Sequence, residues 1–309
     1  GKTDAGYYKY QIYNNGTITV TGEGQNIGGL IGYNTIANGT PGSLTAGYNT
    51  GAIKAENSSN VGGIVGNNAG TVDQVFNTVM TGVDDKGNTV YGTITGKDNV
   101  GGLVGTNSGT LSNAYNTTEV KSTNNGVVGN AVGVNTNKVE NIYGYSELVG
   151  NGNEATKSYV INNSDEWKQQ EKYIGFDFTT SDNTPAIWKN YDGYSNPLLK
   201  VFLTKAQYNG DTEFTYNATE QGLTISSNTI INAADKLDAY NNANSLLTAT
   251  QNKNAGKDYL GIYSQQIAAS GKGDAFDPNN LGYDIDVTYD IEKAQLNITL
   301  NDVHRTYGN

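Results

Sequence analysis

The sequence predicts an all-β chain whose first two hundred residues are built by repetition. Residues 60–72 (NVGGIVGNNAGTV) recur as residues 99–111 (NVGGLVGTNSGTL), with the same order of apolar, glycine and asparagine positions. Short runs of Val, Ile and Thr alternate with Gly and Asn, which favours strands joined by tight corners. The composition agrees, because 309 residues include 40 Gly and 22 Tyr but only 16% charged residues. Such a chain can bury thin apolar stripes coil by coil.

Weaker copies extend the array on both sides. Residues 26–34 (NIGGLIGYN) form an earlier copy that an insertion follows, and residues 130–135 (NAVGVN) form an eroded one. A second track of aromatic residues, most of them followed by Asn, keeps step with the first; its members are Tyr13, Tyr48, Phe76, Tyr115 and Tyr143. One structural unit therefore holds both tracks.

Stacked units place equivalent side chains above one another, about 4.8 Å apart. We expect the aromatic track to form a stack and the Asn of each unit to form a hydrogen-bonded ladder. The uneven spacing between copies indicates loops, and residues 33–41 and 84–90 are the predicted excursions.

The repeat resembles a known family. Its pattern Asn-φ-Gly-Gly-φ-φ-Gly-x-Asn-x-Gly-x-φ, where φ is apolar, is similar to the GLUG repeat of large bacterial exoproteins, the filamentous haemagglutinin-like adhesins and their relatives. The resemblance covers roughly residues 10–200. It implies a right-handed parallel β-helix, a solenoid, on a secreted or surface-exposed rod.

Residues 156–200 are the expected cover of the solenoid, because the repeat stops there and both tryptophans appear. Strand edges at the ends of a solenoid must be covered. We therefore assign residues 1–200 to a solenoid with a C-terminal capping segment. An alternative function is a sugar-stacking platform made by Trp167, Trp188, Tyr191 and Tyr194.

Residues 201–309 predict a second, small β-rich module. Segments 223–225, 259–263, 282–287 and 296–300 are predicted strands, and residues 233–250 are a possible short helix. The closing stretch from 296 to the Thr-Tyr-Gly at 306–308, with Tyr-Asn-Gly at 208–210, resembles the junction of tandem MBG or YDG-type modules. That resemblance implies a stalk unit, and we expect the native chain to continue at both ends.

Charge and composition narrow the function classes. The formal net charge is −11 with a single arginine, Arg305, which argues against nucleic acid as a partner because phosphate recognition needs clustered Lys and Arg. The absence of Cys removes disulfides, thiolate metal sites and thiol nucleophiles. No apolar run approaches the roughly 20 residues of a membrane helix, so we expect no membrane insertion. We expect a monomeric rod.

Catalytic candidates are few. Polysaccharide hydrolysis needs two or three carboxylates that face one groove, and the close acidic set of the repeat region is Asp84, Asp85 and Asp98. A turn with solvated carboxylates explains this set. The only histidine, His304, lies in the junction-like terminal segment and has no nucleophile to serve. We predict no catalytic residues and no enzyme.

The sequence gives only weak patterns for phosphate-binding, glycosylation and metal sites. The glycine-rich repeats lack the lysine and helix of a phosphate-binding loop. Asn116 and Asn217 begin glycosylation sequons that chance explains. Hard oxygen ligands would come from Asp274, Asp277, Asn279, Asp284 and Asp286, as in a calcium site, but their spacing matches no known calcium loop. We predict no metal site and no cofactor, with calcium as the alternative.

The sequence thus predicts a non-catalytic fragment of a secreted or cell-surface bacterial adhesin, with a host-cell or bacterial surface glycan or protein as partner. The ligand-binding residues stay undetermined. Two alternatives remain open: a stalk or spacer without a ligand of its own, and a polysaccharide-degrading β-helix enzyme.

Overall fold

The structure is a computed structural model that describes residues 12–83, 89–179, 186–226, 228–231, 247–264, 282–299 and 307. Its described secondary structure consists of β-strands and three short 3-10 helices, which confirms the predicted all-β class. Among these residues no helix is long and apolar enough to cross a membrane.

The first part of the chain forms a parallel β-solenoid. Its strands are β1 (Ile12–Asn14), β2 (Ile18–Thr19), β3 (Gln25–Gly28), β4 (Ile31–Asn34), β5 (Ile36–Ala37), β6 (Thr40–Pro41), β7 (Ser43–Asn49), β8 (Ile53–Gly62), β9 (Val65–Asn68), β10 (Thr71–Asn77), β11 (Met80–Val83), β12 (Thr89–Tyr91), β13 (Thr93–Gly101), β14 (Val104–Asn107), β15 (Thr110–Asn116), β16 (Glu119–Ser122), β17 (Val128–Gly129), β18 (Val132–Asn135), β19 (Lys138–Gly144), β20 (Val149–Gly152) and β21 (Tyr159–Val160).

All of these strands except the antiparallel pairs β5-β6 and β11-β12 stack into three parallel sheets, one for each side of the coil. The first sheet has the order β1-β7-β10-β15-β19-β21, and the third has the order β20-β18-β14-β9-β4. The second joins β16-β13-β8-β2, with β3 beside β8 and β17 beside β13. Corresponding residues of successive repeats are in register, as in Val65 beside Val104. The sequence repeat is therefore one coil.

The first asparagine of the repeat turns the corner into the Gly-Gly pair. Asn26, Asn60 and Asn99 have φ angles of 59°, 54° and 52°, a left-handed conformation that Asn tolerates better than most residues. A Cβ on Gly63 would lie 2.1 Å from the carbonyl oxygen of Gly102 in the next coil. Only glycine lets the backbones approach this closely.

Hydrogen-bonded asparagine ladders run along the solenoid, as predicted. In one ladder, each Nδ2 donates to the Oδ1 of the next coil over 2.8–2.9 Å; its members are Asn34, Asn68, Asn107 and Asn135. A second ladder, with 2.7 Å bonds, joins Asn14, Asn49, Asn77 and Asn116. A third joins Asn26, Asn60 and Asn99 over 2.9 Å. Amides that would be costly to bury are satisfied by the stacking itself.

The aromatic track also stacks, and it faces away from the solenoid interior. The rings of Tyr13, Tyr48, Phe76 and Tyr115 lie 5.4, 5.1 and 5.0 Å apart and within 13° of parallel. In β10, Gln74 has a φ angle of 55°, and the strand register skips it. This left-handed residue resets the alternation of inward and outward side chains along the strand. The interior therefore takes Val72 and Val75, and the aromatic row faces outward.

The capping segment covers this row along the side of the solenoid, and its first residues, from Thr156 to Val160, also pair with the edge strand β19. Tyr173 packs on Tyr143 of the last coil at 4.8 Å, Trp188 lies 6.1 Å from Tyr115, and Phe202 lies 4.8 Å from Tyr48. The segment thus runs back from the last coil toward the first. The outward aromatic row is the apolar surface that requires burial, whereas the terminal strand β21 stays about 45% exposed at Val160.

The remaining elements lie in the cover and in the C-terminal module. The 3-10 helices span Glu166–Lys168, Gln170–Lys172 and Lys200–Phe202. The strands are β22 (Trp188–Lys189), β23 (Leu198–Leu199), β24 (Thr204–Lys205), β25 (Gln207–Tyr208), β26 (Glu213–Thr215), β27 (Gln221–Gly222), β28 (Ile230–Ile231), β29 (Leu247–Ala249), β30 (Gln251–Asn252), β31 (Gly256–Leu260), β32 (Ile262–Ser264), β33 (Tyr283–Asp284) and β34 (Thr288–Glu292).

Three predictions for this module need correction. Residues 233–246 of the possible helix lie outside the described part, and residues 247–249 form β29, which pairs with β32. Residues 223–225 are not a strand, although Leu223 is buried in the core. Residues 296–299 are also not a strand, because Leu296 and Ile298 are 82% and 72% exposed and pair with no sheet. Residue 300 lies outside the described part.

Candidate functional site

The first predicted excursion, residues 33–41, is a β-hairpin that projects from the corner between β4 and β7. Strand β5 pairs antiparallel with β6 through Asn38 and Gly39, whose φ angles are 52° and 77°. Two positive φ values and an Asn-Gly sequence define a tight hairpin turn. Tyr33 and Ile36 are each 52% exposed here. The corner therefore displays an aromatic and an aliphatic side chain to solvent.

The second predicted excursion leaves the solenoid at a different corner. Strands β11 and β12 form an antiparallel pair between β10 and β13, and residues 84–88, with Asp84 and Asp85, lie outside the described part. The first excursion joins the third sheet to the first, and the second joins the first sheet to the second. The two excursions thus mark two different edges of the rod.

The proposed aromatic sugar platform is not formed by three of its four members. Trp167, Trp188 and Tyr191 are 8%, 0% and 1% exposed, because they pack on the aromatic row and on the C-terminal module. The Tyr191 hydroxyl donates to the carbonyl of Tyr283, and burial raises its pKa. Tyr194 alone is exposed, at 44%, and its ring stacks 4.5 Å from that of Tyr263.

The one described carboxylate of the predicted acidic set, that of Asp98, has backbone partners. Asp98 Oδ1 accepts the backbone N–H of Asn99 at 2.9 Å and that of Val127 at 2.7 Å. The carboxylate therefore closes a turn, as the simpler interpretation expected.

The predicted calcium ligands divide between two parts of the chain. Asp274, Asp277 and Asn279 lie outside the described residues. Asp284 forms ion pairs with Lys200 at 3.2 Å and Lys189 at 3.8 Å, and Lys189 also pairs with Asp286. Within the described residues no cluster of three or more metal-ligating side chains is present. The two described aspartates join the cover to the C-terminal module.

The remaining sequence motifs are the two glycosylation sequons and the single histidine. Asn116 is completely buried in its ladder, so its side chain is not accessible for glycosylation in the folded protein. Asn217 is exposed, and its Oδ1 accepts the backbone N–H of Thr219 at 2.9 Å in a local turn. His304 lies outside the described part of the chain.

An open groove that sequence reasoning missed lies on the cover. Gln169, Gln170, Glu171, Asp192 and Gly193 line it, and its volume is about 650 Å³. We call it the Gln169 groove. Its two walls, residues 169–171 and residues 192–193, are separate in sequence and belong to no repeat, so no sequence pattern predicts the groove.

Comparisons with protein families, curated proteins and solved structures give no match for this chain.

Proposed function

We propose that this protein is a non-catalytic, adhesin-type rod, secreted or displayed on a bacterial cell surface, that binds a glycan or protein of a host cell or of another bacterium. The observation that carries the proposal is the exposed Tyr33–Pro41 corner on a rigid solenoid. The GLUG-like repeat supports the class, and the structure supports the mechanical role.

The scaffold is stiff for reasons visible in each coil. Three sheets hold successive coils in strand register, and asparagine ladders connect buried amides across them. The cover then ties the coils together from the side through Tyr173, Trp188 and Phe202. A surface fixed in this way loses little conformational entropy when it binds a ligand.

The corner hairpin has the chemistry of a binding contact. Exposed aromatic side chains supply large contact area at low entropic cost and are frequent anchors of interfaces. Tyr33 also begins an outward row on the third sheet, in register with Asn67 and Thr106. This uncharged row lies beside the anchor and suits hydrogen bonding to a polar surface. Several such weak contacts gain strength when many rods act together.

The test is binding of the purified protein to an array of glycans and host-matrix proteins. We expect saturable binding to one class, and we expect Tyr33→Ala with Ile36→Ala to weaken it at least about tenfold, as for an anchor pair. Ile174→Ala is the matched control, because Ile174 is 54% exposed on the cover. Binding that survives the double substitution would remove the hairpin from the proposal.

A spacer role is the second candidate. The observation that favours it is the burial of the predicted sugar platform, which leaves Tyr194 as its one exposed ring. A spacer predicts that the protein binds nothing on the array, and that Tyr33→Ala with Ile36→Ala leaves its mechanical and thermal stability the same as that of the unsubstituted protein. Product release from any polysaccharide would instead favour an enzyme.

A further inference from the structure

The geometry points to a second binding site in the Gln169 groove, one that takes a neutral saccharide. The groove lies on the cover and involves neither the corner hairpin nor the solenoid sheets. It deepens the proposed function, on which it rests, because it names a ligand class and the residues that would hold it.

The polar side chains of the groove are available for a ligand. The side chains of Gln169, Gln170 and Glu171 have no hydrogen-bond partner among the described residues. Asp192 uses Oδ1 to accept the backbone N–H of Gln170 at 2.9 Å, and its Oδ2 makes no hydrogen bond to the described residues. Amide and carboxylate groups offer paired donors and acceptors, the arrangement that adjacent sugar hydroxyls require.

The walls of the groove are held in place from below. The Tyr173 hydroxyl donates to the carbonyl of Trp167 at 2.6 Å, and the buried Trp167 ring packs on Tyr115. The backbone N–H of Gly193 donates to the carbonyl of Lys168 at 2.9 Å, which joins the second wall to the first. A ligand would therefore meet side chains on a fixed backbone, which reduces the entropic cost of binding.

The lining selects against other ligand classes. It contains two carboxylates and no Lys or Arg among the described residues, so an anionic ligand would be repelled. The polar side chains disfavour an apolar ligand, whose binding would strip them of water without replacing the lost hydrogen bonds. The volume of about 650 Å³ lies within the range of small-ligand sites. A neutral sugar fits this combination.

Gly193 shapes the turn that forms the second wall of the groove. Its φ angle is 79°, a conformation that side chains rarely adopt, and a Cβ there would meet no atom within 4 Å. The Asp192 turn thus projects into open space beside the 3-10 turns at residues 166–172.

Saturation-transfer NMR on the full protein tests the inference, with glucose, galactose, mannose, N-acetylglucosamine and lactose as probes. We expect a signal from at least one sugar. Because each lost hydrogen bond costs roughly a threefold to tenfold change in affinity, Gln170→Ala with Glu171→Ala should weaken binding at least about tenfold. The matched control is Gln25→Ala with Glu154→Ala, two exposed solenoid residues. Near-ultraviolet circular dichroism confirms that each variant keeps its aromatic packing.

The outcomes separate this inference from the proposed function. Sugar binding that is lost in the groove variant and kept in the control supports the site. A sugar signal that the groove variant keeps, beside array binding that depends on Tyr33 and Ile36, overturns the site and leaves the adhesin proposal intact. No sugar signal at all overturns the site. Calcium binding that is lost in the groove variant, without any sugar signal, also overturns the saccharide assignment.

Discussion

The indole N–H of Trp188 donates to the side-chain oxygen of Gln74, 114 residues earlier in the chain. Trp188 belongs to the cover, and Gln74 is the left-handed residue of β10 that turns Phe76 outward. One hydrogen bond thus joins the local feature that exposes the aromatic row to the segment that buries it. Both partners are buried, so the bond is shielded from water.

Replacing Trp188 by Phe should lower the free energy of unfolding by about 1–3 kcal/mol. The ring would still fill most of the space, but the Gln74 oxygen would be buried without a donor. Chemical denaturation measures the loss, and Tyr194→Phe, at an exposed stacked ring, is the control, with an expected change within about 0.5 kcal/mol. Equal stability of the two variants would show that the cover does not depend on this bond.

Asn77 provides a test of the ladders. Its Nδ2 donates to Asn116 and its Oδ1 accepts from Asn49, both at 2.7 Å and both buried. Asn77→Ala removes both bonds and leaves one buried N–H of Asn49 and one buried lone pair of Asn116 Oδ1 unpaired, although Asn49 still donates to Gly51 and Asn116 still accepts from Thr118, so the expected loss is about 2–4 kcal/mol. Asn67→Ala removes a half-buried amide of the outward row and should change stability by less than about 0.5 kcal/mol. A ladder variant that unfolds like the control would contradict a structural role for the ladder.

The Gly-Gly corner predicts a contrast between two glycines. A Cβ on Gly63 would meet the Gly102 oxygen at 2.1 Å and the Asn77 side chain at 2.6 Å, whereas one on Gly22 would meet nothing within 4 Å. We expect Gly63→Ala to cost more than about 3 kcal/mol, because neighbouring coils must separate, and Gly22→Ala to be neutral or stabilising by up to about 1 kcal/mol. Thermal unfolding of the two variants measures this difference. A Gly63→Ala variant as stable as the Gly22→Ala variant would refute the close approach of the coils.

The repeat made most of the solenoid predictable. Identical residues at the same position of each repeat must occupy equivalent places in stacked coils, so the aromatic stack and the asparagine ladders followed from the positions of residues such as Tyr48 and Asn68. The two excursions were predictable for the converse reason, since they interrupt the spacing. Asn38 and Gly39 also marked the hairpin turn directly.

The cover and the groove were not predictable, because they depend on contacts between unrelated segments. The sequence marks Phe76 as apolar, but the left-handed conformation of Gln74 decides that its ring faces outward. The tryptophans accordingly lie buried along the side of the solenoid. The Gln169 groove forms where the 3-10 turns meet the Asp192 turn, a meeting that no local pattern encodes.

The buried tyrosines predict that alkaline solution unfolds the protein. Burial raises the pKa of the Tyr143 and Tyr191 hydroxyls above the ordinary value of 10.0, with smaller contributions from Tyr159 beside the first and from Asp284 and Asp286 beside the second. Burial likewise raises the pKa of Tyr173.

The folded state favours the neutral hydroxyls, so their contribution to stability is complete below pH 10 and is lost as the pH rises toward the folded-state pKa values. We expect the tyrosinate absorbance to rise together with the loss of circular dichroism, since these hydroxyls ionise readily only after unfolding. Tyr191→Phe should make the alkaline decline of stability shallower, because one coupled proton is removed. If all 22 tyrosines ionised while the circular dichroism stayed constant, the aromatic row would not be sealed by its cover.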